Sequence, residues 1–381
     1  MINNRKTVWT LVVLALIVAS GFPLLREGLS SRFGGHAVAS AEAGGRAQAG
    51  PKAGTALNVD VKTNEAEQRV DITIDGKPFT SYMWPEKAYK PVLNPLRTAK
   101  GTIVTRAFPV GPGDQPDHPH HIGYWLTYGD INGVDFWGTS EANINRKDGK
   151  LKPGRVLHRA IKRAKGGRQG ELEIEADWVN PEGSAMLKET TKFVFSGTAT
   201  ERLIDRVTTL TAVDTKLDFN DTKEGMLAIR VPTALEHPSP KPGNYLDQSG
   251  KPHKVANTEL GASGKYLSSA GKEGDAVWGT RASWVALSGK VSGEDVTIAI
   301  FDHPKNPNHP TFWHARGYGL FALNPFGQRD FPEGNKQAFG FVLNPKQSVT
   351  MRYRVLILPG AAMASDMEAR QKQFAGEPST N

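Results

Sequence analysis

Three histidines, His118, His120 and His121, fall within four residues of a chain that has ten histidines in 381 positions. They open the stretch "DHPHHIGYWLTYGDINGVDFWG", which also holds Asp130 and Asp135. Two chemistries use such a set. Neutral imidazole beside a carboxylate suits general acid–base catalysis near pH 7. His-x-His on an extended segment suits a divalent metal, with His118 and His120 as ligands and a distant Asp, Glu or His completing the shell. The alternative to both is that the histidines satisfy backbone groups in a Pro-rich loop.

Asn132-Gly133 supplies the two positive-φ residues of a type I′ hairpin turn. With those two as the loop, Ile131 faces Val134, Asp130 faces Asp135 and Tyr128 faces Trp137. Like charges directly opposite are destabilising, so Asp130 and Asp135 are expected to share a proton, a cation or a basic side chain, or else to splay into solvent. Strand alternation puts Tyr124, Leu126, Tyr128 and Asp130 on one face. Continued back through Pro119, it adds His118 and His120 and turns His121 the other way. The spacing of Asp130-x-Asn-Gly-x-Asp135 departs from an EF-hand loop, which leaves calcium a minor alternative.

Two further stretches carry polar groups among aromatics. "DTKEGMLAIRVP" sets Glu224 and Arg230 beside a short apolar run, and "FDHPKNPNHPTFWHARGYGLFALNPFG" brings His303, His309, Trp313, His314 and Arg316 together. Aromatic faces such as Tyr124, Trp137 and Trp313 can stack on the C–H face of a sugar ring, while Arg230, His303, His314 and Arg316 offer fixed partners to its hydroxyls. The candidate catalytic groups are His118, His120, His121, Asp130, Asp135 and Glu224. No GxSxG elbow, Walker loop, dinucleotide fingerprint or HExxH is present.

These residues need a scaffold, and its signal is period-two alternation broken by Gly, Pro, Asn and Asp. "ELEIEADWV" places Leu172, Ile174, Ala176 and Trp178 on one face, as a half-buried antiparallel strand does. "SVTMRYRVLILPG", "RVDITIDGKPF", "TTKFVFSG", "ERLIDRVTTLTAV" and "EDVTIAIFD" repeat the pattern. The one convincing helix is the tail after Pro359 and Gly360. The expected fold is all-β: a large antiparallel β-sandwich over 57–360, with a short C-terminal helix and tail over 361–381.

Ahead of this domain, Arg5 and Lys6 precede an uncharged apolar run from Val8 to Leu25, the build of a signal peptide or N-terminal membrane anchor (1–25). An Ala/Gly-rich flexible linker (26–56) follows. The chain is therefore expected to be exported, periplasmic or extracellular, with any membrane contact through the N-terminus. With 38% hydrophobic and 23% charged residues it can bury a sizeable core, and with no cysteine it has no thiol nucleophile, disulfide or Cys-ligated metal. The formal charge of +8 is spread along the chain rather than clustered, which argues against nucleic acid.

The motifs "DHPHHIGYWLTYGDINGVDFW", "DTKEGMLAIRV", "FDHPKNP…FWHARGYGLFALNPFG" and "MRYRVLILPG", in this order, resemble the PmoA-like family of exported bacterial proteins, which has no settled activity. Its label points to a methane monooxygenase subunit that crosses the membrane with several helices. A chain with one N-terminal apolar segment does not fit that role. Strand content and the His-rich hairpin are also similar to galactose-mutarotase-like supersandwiches. That resemblance implies a small-molecule carbohydrate as partner and, for chemistry, a histidine acid and a carboxylate base moving protons at the anomeric centre. The resulting expectation is an exported carbohydrate-active protein of epimerase, lyase or hydrolase type. The alternatives are a carbohydrate-binding module without turnover and a metal-dependent enzyme using the histidine triplet. No cofactor is obligatory.

Overall fold

A computed structural model describes residues 54–377, apart from 146–148, 150, 335 and 338. The apolar segment 1–25 and nearly all of the linker 26–56 lie outside the described residues. No described helix is long and apolar enough to cross a membrane.

The alternating runs form two eight-stranded sheets among the described residues. The first runs in the order Val59–Asn64, Arg69–Ile74, Lys77–Met83, Val92–Leu93, Tyr124–Leu126, Leu227–Arg230, Leu320–Asn324 and Phe312–Ala315. The second runs Lys265–Ser268, Trp284–Val291, Glu294–Asp302, Ser348–Pro359, Arg202–Ala212, Ala185–Gly197, Gly170–Val179 and Arg155–Lys165. Neighbours in both sheets are antiparallel, as hairpin-rich connectivity requires. The expected large antiparallel β-sandwich is the fold.

Alternation decides what each face buries. Leu172, Ile174, Ala176 and Trp178 point from the second sheet into the main core, where they meet Ile72, Tyr124, Leu227 and Phe321 from the first. The helix Ala364–Gly376 covers the outer face of the second sheet, placing Met367 and Phe374 against Trp284, Phe301 and Leu356. The outer face of the first sheet carries a smaller apolar cluster of Trp125, Trp137, Ala228, Leu320 and Ala322. Three strands of that sheet supply the floor on which polar side chains stand.

The Asn132-Gly133 turn forms as expected. Ile131 and Val134 exchange backbone hydrogen bonds, and φ is 52° at Asn132 and 82° at Gly133. Nothing lies within 4 Å of a Cβ built on Gly133, so a substitution there meets only backbone strain. Gly133→Val is expected to cost about 1–3 kcal/mol, read as a lower urea midpoint. An unchanged midpoint would exclude a positive-φ turn in solution.

Beyond the turn the ladder breaks, because Phe136 N–H donates to Tyr128 rather than to Gly129. The expected facing of Asp130 and Asp135 is therefore not realised. Asp130 accepts from Gly133 N–H and Asn220 Nδ2, whereas one Asp135 oxygen accepts from the amides of Trp137 and Gly138. Each carboxylate is satisfied locally, which removes the need for a shared proton or cation. Tyr128 packs with Phe219 and Phe326 and does not face Trp137.

Candidate functional site

A cavity of about 590 Å³ lies over the outer face of the first sheet. It gathers His118, His120 and His121 with Asp135, Trp137, Glu224, His314 and Arg316, residues spread over almost 200 positions of sequence. Alternation explains the strand-borne members. In Phe312–Ala315, Trp313 points into the main core and His314 to the outer face, next to Ala322. In Leu227–Arg230, Leu227 and Ile229 point inward, while Ala228 sits over Trp125 in the outer cluster.

The histidine triplet is set by a turn, not by an extended strand. His118 has a φ of 41°, and His121 N–H donates to the His118 carbonyl. The reversal brings all three rings together. His118 stacks in parallel on His121 at 4.8 Å and on Tyr318 at 5.0 Å, and His120 meets both histidines edge-on. His121 therefore joins the site instead of facing away, and continues the stack onto Trp125.

Asp117 anchors this turn. Its carboxylate accepts from Arg106 Nη1 at 2.8 Å, Arg230 Nη2 at 2.7 Å and His118 Nδ1 at 2.6 Å. Partial burial alone would raise the Asp117 carboxyl, but the His118 hydrogen bond and the two guanidinium charges outweigh it and hold the group at about 2. Arg106 is fixed further by the carbonyls of Gln115, Asp117, His118 and His121. The anchored carboxylate fixes the His118 ring and its tautomer. Nδ1–H is engaged and Nε2 is the nitrogen left for proton transfer.

The two most buried histidines of the site, His121 and His314, are held toward the neutral form. Burial, then neighbouring positive charge, pushes His121 well below the usual range; for His314, burial brings it down to about 4. Arg230 Nη1 donates to His121 Nδ1, so Nε2 carries the proton, and that Nε2–H has no hydrogen-bond partner among the described residues. The Trp137 indole N–H is likewise buried without a partner among the described residues. His314 Nδ1–H donates to the Lys223 carbonyl, which makes Nε2 its acceptor. Unpaired buried donors are costly, and two of them on residues lining one cavity suit a ligand that brings acceptors.

Glu224 lines the same cavity, ion-paired with Lys223 at 2.8 Å. Its backbone approaches through Gly129, whose N–H donates to the Glu224 carbonyl. A Cβ on Gly129 would come within 2.7 Å of Glu224 Cβ. Burial raises Asp135, partly offset by its two amide donors and by Lys90. Lys90 Nζ donates to the His120 carbonyl and lies 5.3 Å from the Trp125 ring, and burial brings it down to about 7. Arg316 is sandwiched between Trp278 and Tyr318.

Four expected site residues lie elsewhere. Tyr124 and Trp313 are on the core face of their strands, and Asp130 braces the turn. His303 packs on Phe374 of the C-terminal helix. Arg230 lies just beneath the site, fully buried, holding Asp117 and His121 and stacking on Tyr318. Among the described residues no group of three or more His, Asp or Glu side chains is placed to hold a metal ion. His118 Nδ1 is committed to Asp117, which leaves Nε2 as the ring nitrogen that faces any ligand. Sequence reasoning missed Asp117, Arg106, Lys90 and Tyr318. Asp117 stood directly before the triplet, whereas nothing in the local sequence marks Arg106 or Lys90.

The profile of a family described as "family of unknown function (DUF6807)" matches residues 69–372. No curated protein matches the sequence. Among solved structures, the chain is similar to a candidate aldose 1-epimerase from Escherichia coli K12, at 10% identity and a TM-score of 0.35, over 78% of this chain and 98% of that one. It is also similar to a galactose mutarotase-like protein from Clostridium acetobutylicum, at 10% identity and a TM-score of 0.31, over 80% and 99% of the two chains.

Proposed function

The chain belongs to the DUF6807 family, whose function is unknown, and from the geometry of the cavity we propose that it acts on a saccharide by proton transfer at the anomeric centre. One observation carries this reading: His118, held from behind by Asp117, and Glu224 line one cavity together with further polar and aromatic side chains that suit hydroxyls. In the proposed step His118, protonated at Nε2, gives its proton to the ring oxygen while Glu224 takes the proton of the anomeric hydroxyl. The C1–O5 bond breaks and a carbonyl forms at C1. Reclosure on the other face of C1 returns both protons. Asp117 stabilises the imidazolium before the proton is given and after it is returned, as the partner carboxylate of a catalytic histidine does.

Binding follows from the same lining. Trp137 and Tyr318 offer apolar ring faces, His121 Nε2–H and the Trp137 indole N–H donate, and His314 Nε2 accepts. Arg316 is held by its two aromatic neighbours and can meet a hydroxyl or carboxylate without reorganising. The PmoA-like resemblance of the four sequence motifs remains part of this proposal and adds no activity to it. Export through the segment 1–25 belongs to the proposal as well, since it would place the protein where free saccharides occur.

The test is a saturation-transfer NMR screen of the full chain against free aldoses, uronic acids and their glycosides, followed by exchange spectroscopy between α and β anomers for each binder. Accelerated anomer exchange for at least one sugar is the expected result. Binding without exchange would leave a sugar-binding module, and no binding across the panel would overturn the proposal.

A further inference from the structure

A second cavity, of about 450 Å³, adjoins the first: Tyr318 lines both. We propose that it is a second saccharide subsite, so that the substrate carries at least two sugar units spanning Tyr318. This rests on the saccharide reading of the first cavity and adds the size of the substrate to it. Both volumes fall in the range of roughly 300–1,000 Å³ typical of ligand pockets.

The second cavity is built for hydroxyls. Glu236 is 2% exposed, yet among the described residues its carboxylate is met by three neutral donors and no ion pair: Gln115 Nε2 at 3.4 Å, Tyr245 Oη at 3.0 Å and Asn257 Nδ2 at 3.2 Å. Asn257 is fixed in turn by donating to the His237 carbonyl. A buried carboxylate held by neutral donors keeps acceptor capacity for a ligand hydroxyl. His237 sits beside it, with a buried Nδ1 that has no hydrogen-bond partner among the described residues. Gly243 and Gly317 add lining without side-chain bulk.

The wall between the cavities is itself rigid. Tyr318 is stacked on His118 and lies over the Arg230 guanidinium, and the next residue, Gly319, has its N–H bonded to the Arg316 carbonyl. A ligand reaching from one cavity to the other would pass the edge of this immobilised aromatic ring, an apolar contact at the junction between two sugar units.

Titration calorimetry of the full chain with D-glucose, D-galactose, lactose, cellobiose, maltose, cellotriose and maltotriose tests this. At least one di- or trisaccharide is expected to bind about tenfold more tightly than its component monosaccharides, an increment that one or two subsite hydrogen bonds supply. His237→Ala should remove the increment and leave monosaccharide affinity unchanged. Ser239→Trp, which puts a bulky ring into the second cavity and keeps the backbone N–H that Ser239 donates to Asn257 Oδ1, should do the same. Longer saccharides binding no better than monosaccharides, or an increment that survives both variants, would overturn the subsite while the first cavity's role stands. Absence of binding by every sugar would overturn both.

Discussion

Replacing His118 with alanine is expected to lower anomer exchange by about 10²–10⁴-fold, the usual contribution of a positioned acid–base group, while the thermal midpoint stays close to that of the parent. The side chain is 42% exposed, so little apolar burial is lost with it. Its neighbours Arg106 and Arg230 keep their ion pairs to Asp117 in the variant. Glu224→Gln should produce a loss of similar order, because the amide keeps the shape and cannot take a proton. The double variant should be little worse than either single one, since both groups serve one step. A His118→Ala protein that retains exchange within threefold of the parent would remove the acid–base role of the dyad.

The largest expected effect on stability lies away from the cavity, at Glu189. Glu189 and Arg206 are 4% and 5% exposed and form an ion pair at 3.1 Å between strands of the second sheet. The Trp178 indole N–H and the Thr191 hydroxyl donate to the Glu189 carboxylate, Arg206 Nε donates to Thr208 Oγ1, and the guanidinium lies over the Phe193 and Tyr124 rings. Glu189→Ala leaves Arg206 charged in the core and is expected to cost about 3–5 kcal/mol, measured by urea unfolding. The pair Glu189→Leu with Arg206→Met should recover most of that loss, because two apolar groups of similar volume need no counter-charge. A single-variant loss below about 1 kcal/mol would mean that water reaches Arg206.

Tyr124 in that same core shows where sequence reading reached its limit. The alternation of the hairpin put Tyr124 on one face of its strand, and Trp313 and His314 were both expected at the site although they point to opposite faces of Phe312–Ala315. Alternation left open which face was the main core, because Tyr124–Leu126 and Phe312–Ala315 are buried on both sides. Gly170–Val179 posed no such problem in its first half, where charged residues alternate with Leu172 and Ile174. The turn at Asn132-Gly133 was legible because its chemistry is local. The partners of Asp117 were not: Arg230 lies 113 residues away and arrives only through sheet assembly. His121 was misplaced because the turn at His118 interrupts the period that the rest of the stretch obeys.

The dispersal of the cavity along the chain also has a consequence in time. Its walls come from residues between 118 and 143, from Leu151, and from 222–224 and 314–318, with Lys90 and Arg106 braced behind them. A chain halted on the ribosome at residue 300 has already made Asp117, His118 and Glu224 but not His314, Arg316 or Tyr318. Contacts of such long sequence separation form late and slowly in β proteins. Activity should therefore appear in a single late step, when the edge strand Phe312–Ala315 pairs with Leu320–Asn324, and a nick near residue 300 that lets the last strands separate should abolish it all at once.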